Sequence, residues 1–164
     1  MITINYIFIH FQKKAQNTIG LFILEMVILL LFLDFIFFTL QIYIPHEHNN
    51  NLFDFYVDKS WTIIFFTACI IGPFVETIIF QSLPIELVKL KTDNILISII
   101  VSSLVFSIAH FGVHIIDMVL FFMSGIILAW SYVVNLHKGW GKSIIITYFI
   151  HAIYNFIHLV IILI

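Results

Sequence analysis

The sequence predicts an all-α protein, a polytopic transmembrane bundle of about five spans. Three observations carry that reading. The 164 residues are 62% hydrophobic and only 10% charged, against roughly 25% charged in soluble domains. Mean hydropathy is +1.14. Five stretches, at about 20–44, 61–83, 94–111, 115–135 and 143–164, approach or exceed the length an apolar helix needs to cross a bilayer, which is about 20 residues.

Residues 1–20 open with ITINYIFIHF and continue QKKAQNT, an aromatic-rich start that reads as an interfacial segment ahead of an uncleaved anchor. A cleaved signal fits less well, because the apolar stretch is too long and no A-x-A-like site follows it. The first span carries Glu25 near its start and Asp34 within it. Residues 45–60 form a polar loop with Glu47, Asp54 and Asp58, in which His46 and His48 are solvated. The second span holds Pro73 and Glu76, and Pro84 is expected to break it or bend it into an interfacial turn, since proline removes a backbone donor. The third span is the shortest. Cys69, the single cysteine, lies in an apolar run and reads as a small buried hydrophobe.

Lysine placement sets the expected orientation. With five crossings, Lys13, Lys14, Lys89, Lys91, Lys138 and Lys142 fall on one side and Lys59 alone on the other. Cytoplasmic loops favour lysine and arginine, so the N-terminus is expected inside. Richness in Ile, Phe, Asn and Lys suggests an AT-rich bacterial genome, hence the cell membrane of a bacterium. The net charge of −2 is small and arginine is absent. Nucleic-acid binding therefore has no support, because no basic patch can neutralise phosphates.

Three clusters place polar side chains where a lipid-facing helix would not keep them. They are Glu76-Thr77-x-x-x-Gln81, Phe106-x-x-x-His110 and His151-x-x-x-Asn155. A charged residue at the centre of a spanning helix costs roughly 2.5–3.5 kcal/mol on insertion scales, so Glu76 needs a partner or a task. Residues four apart share a helix face. His151 and Asn155 therefore point at a common target, and Phe106 packs beneath the His110 imidazole. Glu76 and Gln81, five apart, are separated by about 140° around an α-helix and should serve different surroundings. Thr77 and Gln81 share a face.

A single buried Glu, His or Asn is most simply a packing contact between helices. Four of them on three spans point instead to one cavity in which they satisfy one another. Their chemistry suits water attack on a peptide bond. Glu76 would act as general base, His110 would orient the water, and His151 with Asn155 would donate to the oxyanion.

At these residues the sequence resembles the CPBP family, the type II CAAX prenyl proteases and bacterial Abi, or bacteriocin-processing and immunity, proteins. The family pattern E-E-x-x-x-R, F-x-x-x-H and H-x-x-x-N on successive membrane helices is matched in order by ETIIFQ, FSIAH and HAIYN. The resemblance covers 61–164, implying a four-helix protease core there. It leaves 1–60 as an interfacial segment, a first membrane helix and an outer loop. It implies that Glu76 activates water beside His110 and that His151 and Asn155 stabilise the oxyanion. It also implies a membrane-associated peptide or protein substrate within the lipid bilayer. Thr77 and Gln81 replace the family's second glutamate and its arginine. A Thr77–Gln81 hydrogen bond is the expected substitute for a lost ion pair.

The family has been called metallopeptidase, which makes zinc a candidate cofactor. His114, four residues after His110, and His158, seven after His151, are the extra imidazoles that could serve it. Rival readings are a haem-binding bundle with His110 and His151 as axial ligands, a proton-coupled carrier using Glu76 and the histidines, and a catalytically silent immunity or scaffold protein of the same fold. Counted from the span ends, Glu76 and His151 fall near mid-membrane and His110 near the outer face. A shared site thus requires the third helix to extend or tilt.

Overall fold

The computed structural model describes residues 2–43, 59–110 and 115–163. The loop with His46, Glu47, His48, Asp54 and Asp58 lies outside the described residues, and so does His114. Among the described residues six long helices follow one another: α1 Ile2–Asn17, α2 Ile19–Tyr43, α3 Trp61–Lys89, α4 Ile95–Ala109, α5 Ile115–Asn135 and α6 Trp140–Leu163. Four of them, α2, α3, α5 and α6, are long and apolar enough to cross a bilayer. Helix α4, with 15 residues, extends only about 22 Å at 1.5 Å per residue. The protein is a multi-pass, all-α membrane bundle.

Helix α5 is its hub. Half of its apolar window is buried inside the protein, against 22–28% for α2, α3 and α6, because it packs against every other spanning helix. Phe22, Met26 and Leu30 of α2 meet Leu128 and Val134 of α5 and Ile146 and Ile150 of α6 in one cluster. Ile85 of α3, Ile99 of α4 and Tyr132 of α5 anchor a second.

Helices α4 and α5 approach closely because small residues line their seam. Ser98, Ser102, Ser103 and Ser107 are all buried on α4, and Gly125 of α5 lies so near that a Cβ there would sit 3.0 Å from the Ser103 Cα. Small side chains let membrane helices reach backbone contact where no hydrophobic drive exists between them. Ser107 Oγ also donates across the seam to the Met118 carbonyl at 2.7 Å.

The N-terminal segment forms a helix that packs on the bundle. Phe8 and Phe11 meet the Trp130 ring edge-on, with centroids 5.6 and 6.0 Å away. The Lys138 ammonium donates to the Ala15 carbonyl. Lys14 pairs with Glu25 at 2.8 Å, which gives Glu25 a partner near the start of α2. The end of α1 therefore sits beside the end of α5, as grouping Lys14 and Lys138 on one side requires.

Helix α3 corrects the expectation at Pro84. The chain does not break there. It continues to Lys89, with α-helical pieces interrupted by two wide π turns at Phe66–Ile71 and Thr77–Ser82. Each π turn leads into a proline, Pro73 or Pro84. The Gly72 amide donates five residues back to Thr67, and the Leu83 amide five back to Ile78. A proline offers no hydrogen at the next position and its ring would crowd a tight turn.

In lipid no water can satisfy the carbonyls so freed, and neighbouring helices must do it. They do. Asn155 Nδ2 of α6 donates to the Ala68 carbonyl at 2.9 Å, which has lost Gly72 to Thr67 and faces Pro73 in the π register. Ser102 Oγ of α4 donates to the Phe80 carbonyl at 2.8 Å, whose α-helical partner would have been Pro84. The two prolines thus tie α3 to α6 and to α4 instead of ending it.

Candidate active site

Glu76 is the last residue before the second π turn, and its side chain turns toward α6. Its Oε2 lies 3.6 Å from His151 Nε2. That separation is beyond hydrogen-bond length, and in such a gap two polar atoms can share one water. The Glu76 side chain retains 27% of its exposure while His151 is buried. The carboxylate is therefore reachable and the imidazole is fixed. Gly72 lies beneath the carboxylate: a Cβ there would fall 3.6 Å from Glu76 Oε1 and 2.7 Å from the Thr67 carbonyl oxygen. Glycine is what permits both the wide turn and the room above it.

His110 closes α4. Its Nδ1 lies 2.8 Å from the Phe106 carbonyl. A carbonyl oxygen only accepts, so Nδ1 carries the hydrogen in the neutral ring and Nε2 offers a lone pair. Phe106 packs against both imidazoles, its centroid 4.7 Å from His110 and 5.9 Å from His151. The predicted wall beneath His110 therefore serves His151 as well. The Phe106 ring thus links His110 of α4 to His151 of α6. Side chains of α3, α4 and α6 are linked in this way, Glu76 to His151 directly and His110 to His151 through Phe106.

Phe121 of α5 stacks on His110, with centroids 4.1 Å apart and planes 20° from parallel, and its ring also meets Phe106 edge-on at 6.3 Å. Nothing in its sequence context marks it.

Asn155 sits one turn beyond His151 on α6. One amide hydrogen goes to Ala68, which leaves the second available. Its shared target with His151 is thus the α3 surface around the first π turn. Thr77 and Gln81 are fully buried, but the expected bond between them is not formed. Gln81 Oε1 meets Ser102 Oγ at 2.6 Å, sharing the one hydroxyl hydrogen with the Phe80 carbonyl, while Thr77 Oγ1 and Gln81 Nε2 have no partner among the described residues. The Gln81 amide is engaged by α4 instead, through Ser102. Glu76 and Gln81 do serve different surroundings.

Below the site a polar clamp joins the same helices. Trp140 Nε1 donates to Ser82 Oγ at 2.9 Å, Ser82 and the Tyr132 hydroxyl lie 3.0 Å apart, and Tyr132 donates to Glu86 Oε1 at 3.1 Å. Further along α6 a second polar group occupies Asp34. The Tyr154 hydroxyl donates to Asp34 Oδ1 at 2.8 Å and His158 Nδ1 meets Oδ2 at 2.9 Å. Tyr154 and His158, four apart, present one face to α2; that spacing was readable. His158 is thereby engaged with Asp34 rather than paired with His151.

Among the described residues no three His, Cys, Asp or Glu side chains are placed to hold one metal ion.

The family model of the Rce1-like type II CAAX prenyl endopeptidases matches residues 58–157, a stretch holding every residue of the converging site. No curated protein and no solved structure matches the chain. The match covers most of the protein and nearly coincides with α3 to α6, and the chain belongs to the Rce1-like family of CAAX-type membrane endopeptidases.

Proposed function

We propose that this protein is an intramembrane endopeptidase that hydrolyses a peptide bond of a membrane-associated protein or peptide precursor, with Glu76 as general base. The observation that carries this reading is the Glu76–His151 approach of 3.6 Å between two spanning helices, with His110 joined to His151 through the Phe106 ring.

A water held between Glu76 and His110 Nε2 loses a proton to the Glu76 carboxylate as its oxygen attacks the scissile carbonyl carbon. The carbonyl π electrons move onto oxygen. The resulting oxyanion is met by His151 Nε2–H and the free Asn155 amide hydrogen. Collapse expels the amine, which takes the proton back from Glu76. Each step balances with water alone. Preset donors of this type are worth about 3–4 kcal/mol each, and a positioned base typically contributes about 100- to 10,000-fold. The lysine-rich end is assigned to the cytoplasm, so that the N-terminus lies on the cytoplasmic side of a bacterial cell membrane.

Substrate trapping tests the reading. Glu76→Gln keeps the shape of the side chain but removes the base, so it should hold an uncleaved peptide identifiable by mass spectrometry. Wild type should then cut that peptide at one bond. A peptide that binds Glu76→Gln and is never cut by wild type contradicts the proposal.

A further inference from the structure

We propose that Thr77, Gln81, Thr147 and His151 enclose a buried water-binding site in the α3–α6 seam, and that this water holds the His151 imidazole with its hydrogen on Nε2. The water site stands on its own geometry; its catalytic consequence rests on the endopeptidase reading.

Trp140, Thr147 and His151 are spaced by seven and four, one stripe along α6. Both ends of the stripe touch α3: Trp140 at Ser82, 2.9 Å, and His151 at Glu76, 3.6 Å. Thr147 lies between them and is fully buried, so its hydroxyl is held in the same seam. On α3, Thr77 and Gln81 fall between those two contact residues and are fully buried too. Ser102 holds one end of the Gln81 amide at 2.6 Å, and the other end has no partner among the described residues. Turning the amide over exchanges its two ends without changing that count.

Among the described residues, Thr77 Oγ1, Gln81 Nε2, Thr147 Oγ1 and His151 Nδ1 all lack a protein partner. A buried polar group left unbonded costs about 1–3 kcal/mol. Folded proteins meet such groups with ordered water, which takes two to four polar partners. The donor set selects water over an ion: two hydroxyls that give or accept, one amide end and one ring nitrogen, none of them formally charged. A water hydrogen given to Nδ1 leaves the neutral ring protonated at Nε2, because the bond made at one nitrogen sets the tautomer at the other. Nε2 is the atom facing Glu76, where an oxyanion would need a donor.

The sign of a stability change tests the site without any substrate. Thr77→Val and Thr147→Val keep the shape and remove one hydroxyl each. If water bridges these groups, each variant lowers Tm in detergent, by roughly 2–4 °C, and the double variant loses less than the sum, since its second change meets a site already dehydrated. A rise in Tm, no change, or an additive loss each overturns the proposal, because a dry seam gains from losing an unbonded hydroxyl. Nitrogen NMR of histidine-labelled protein should show His151 protonated at Nε2, and protonation at Nδ1 overturns the tautomer claim. Glu76→Gln separates the two readings: its effect on cleavage judges the endopeptidase, while the valine shifts should persist in its background.

Discussion

Asn155 of α6 donates to the carbonyl of Ala68 at 2.9 Å, in place of an amide hydrogen that Pro73 cannot supply. The side chain assigned to transition-state stabilisation is therefore also the strut that holds α6 against the widened turn of α3.

Asn155→Ala should lower Tm, by an amount matching about 1–3 kcal/mol for a carbonyl left unbonded in lipid. Pro73→Ala restores a backbone hydrogen near Ala68 and should recover part of that Tm. Cleavage should not recover with it, because the second Asn155 hydrogen is still missing. Thermal unfolding and peptide cleavage on the single and double variants separate the two roles.

Gly72→Ala should cost far more activity than its size suggests. The new methyl would meet the Thr67 carbonyl oxygen at 2.7 Å, so the π turn beneath Glu76 must shift. A displacement near 1 Å at the reacting geometry is worth about 100-fold. The expected result is a loss of that order in kcat, measured on the trapped peptide.

Gly125→Ala acts through Phe106. A Cβ there lies 3.0 Å from the Ser103 backbone and 3.3 Å from the Phe106 ring. Overpacking of this kind costs about 1–3 kcal/mol. Stability and cleavage should fall together, because the ring that shifts is the one packed on both imidazoles.

Asp34→Asn should do the opposite of a site variant. It weakens the contacts to Tyr154 and His158, and polar contacts between membrane helices average about 0.6 kcal/mol with a maximum near 1.7. Tm should fall modestly while cleavage per folded molecule holds.

Much of this architecture was legible in the chain because lipid permits few alternatives. Apolar length marks α2, α3, α5 and α6, and the four-residue spacings mark Phe106 with His110 and His151 with Asn155. The π turns were not legible. Pro84 by itself reads as a stop, and only a hydroxyl on another helix, Ser102, makes continuation acceptable. The same cause hid the second use of Asn155, and the Thr77–Gln81 bond gave way to Ser102, a partner on another helix. Phe121 escaped for a simpler reason: an apolar ring on an apolar helix carries no sign of which imidazole it will meet.

Chelation bears on the metal question directly. With Glu76 as base and His151 with Asn155 as donors, cleavage should survive dialysis against a strong zinc chelator. Activity lost on dialysis and regained with zinc would place a metal ion at the site.

The most direct measurement is the rate at which wild type and Glu76→Gln cut the trapped peptide, with Tm recorded for both. A loss of at least about 100-fold at unchanged Tm is expected. Cleavage by Glu76→Gln at the wild-type rate would contradict the central claim.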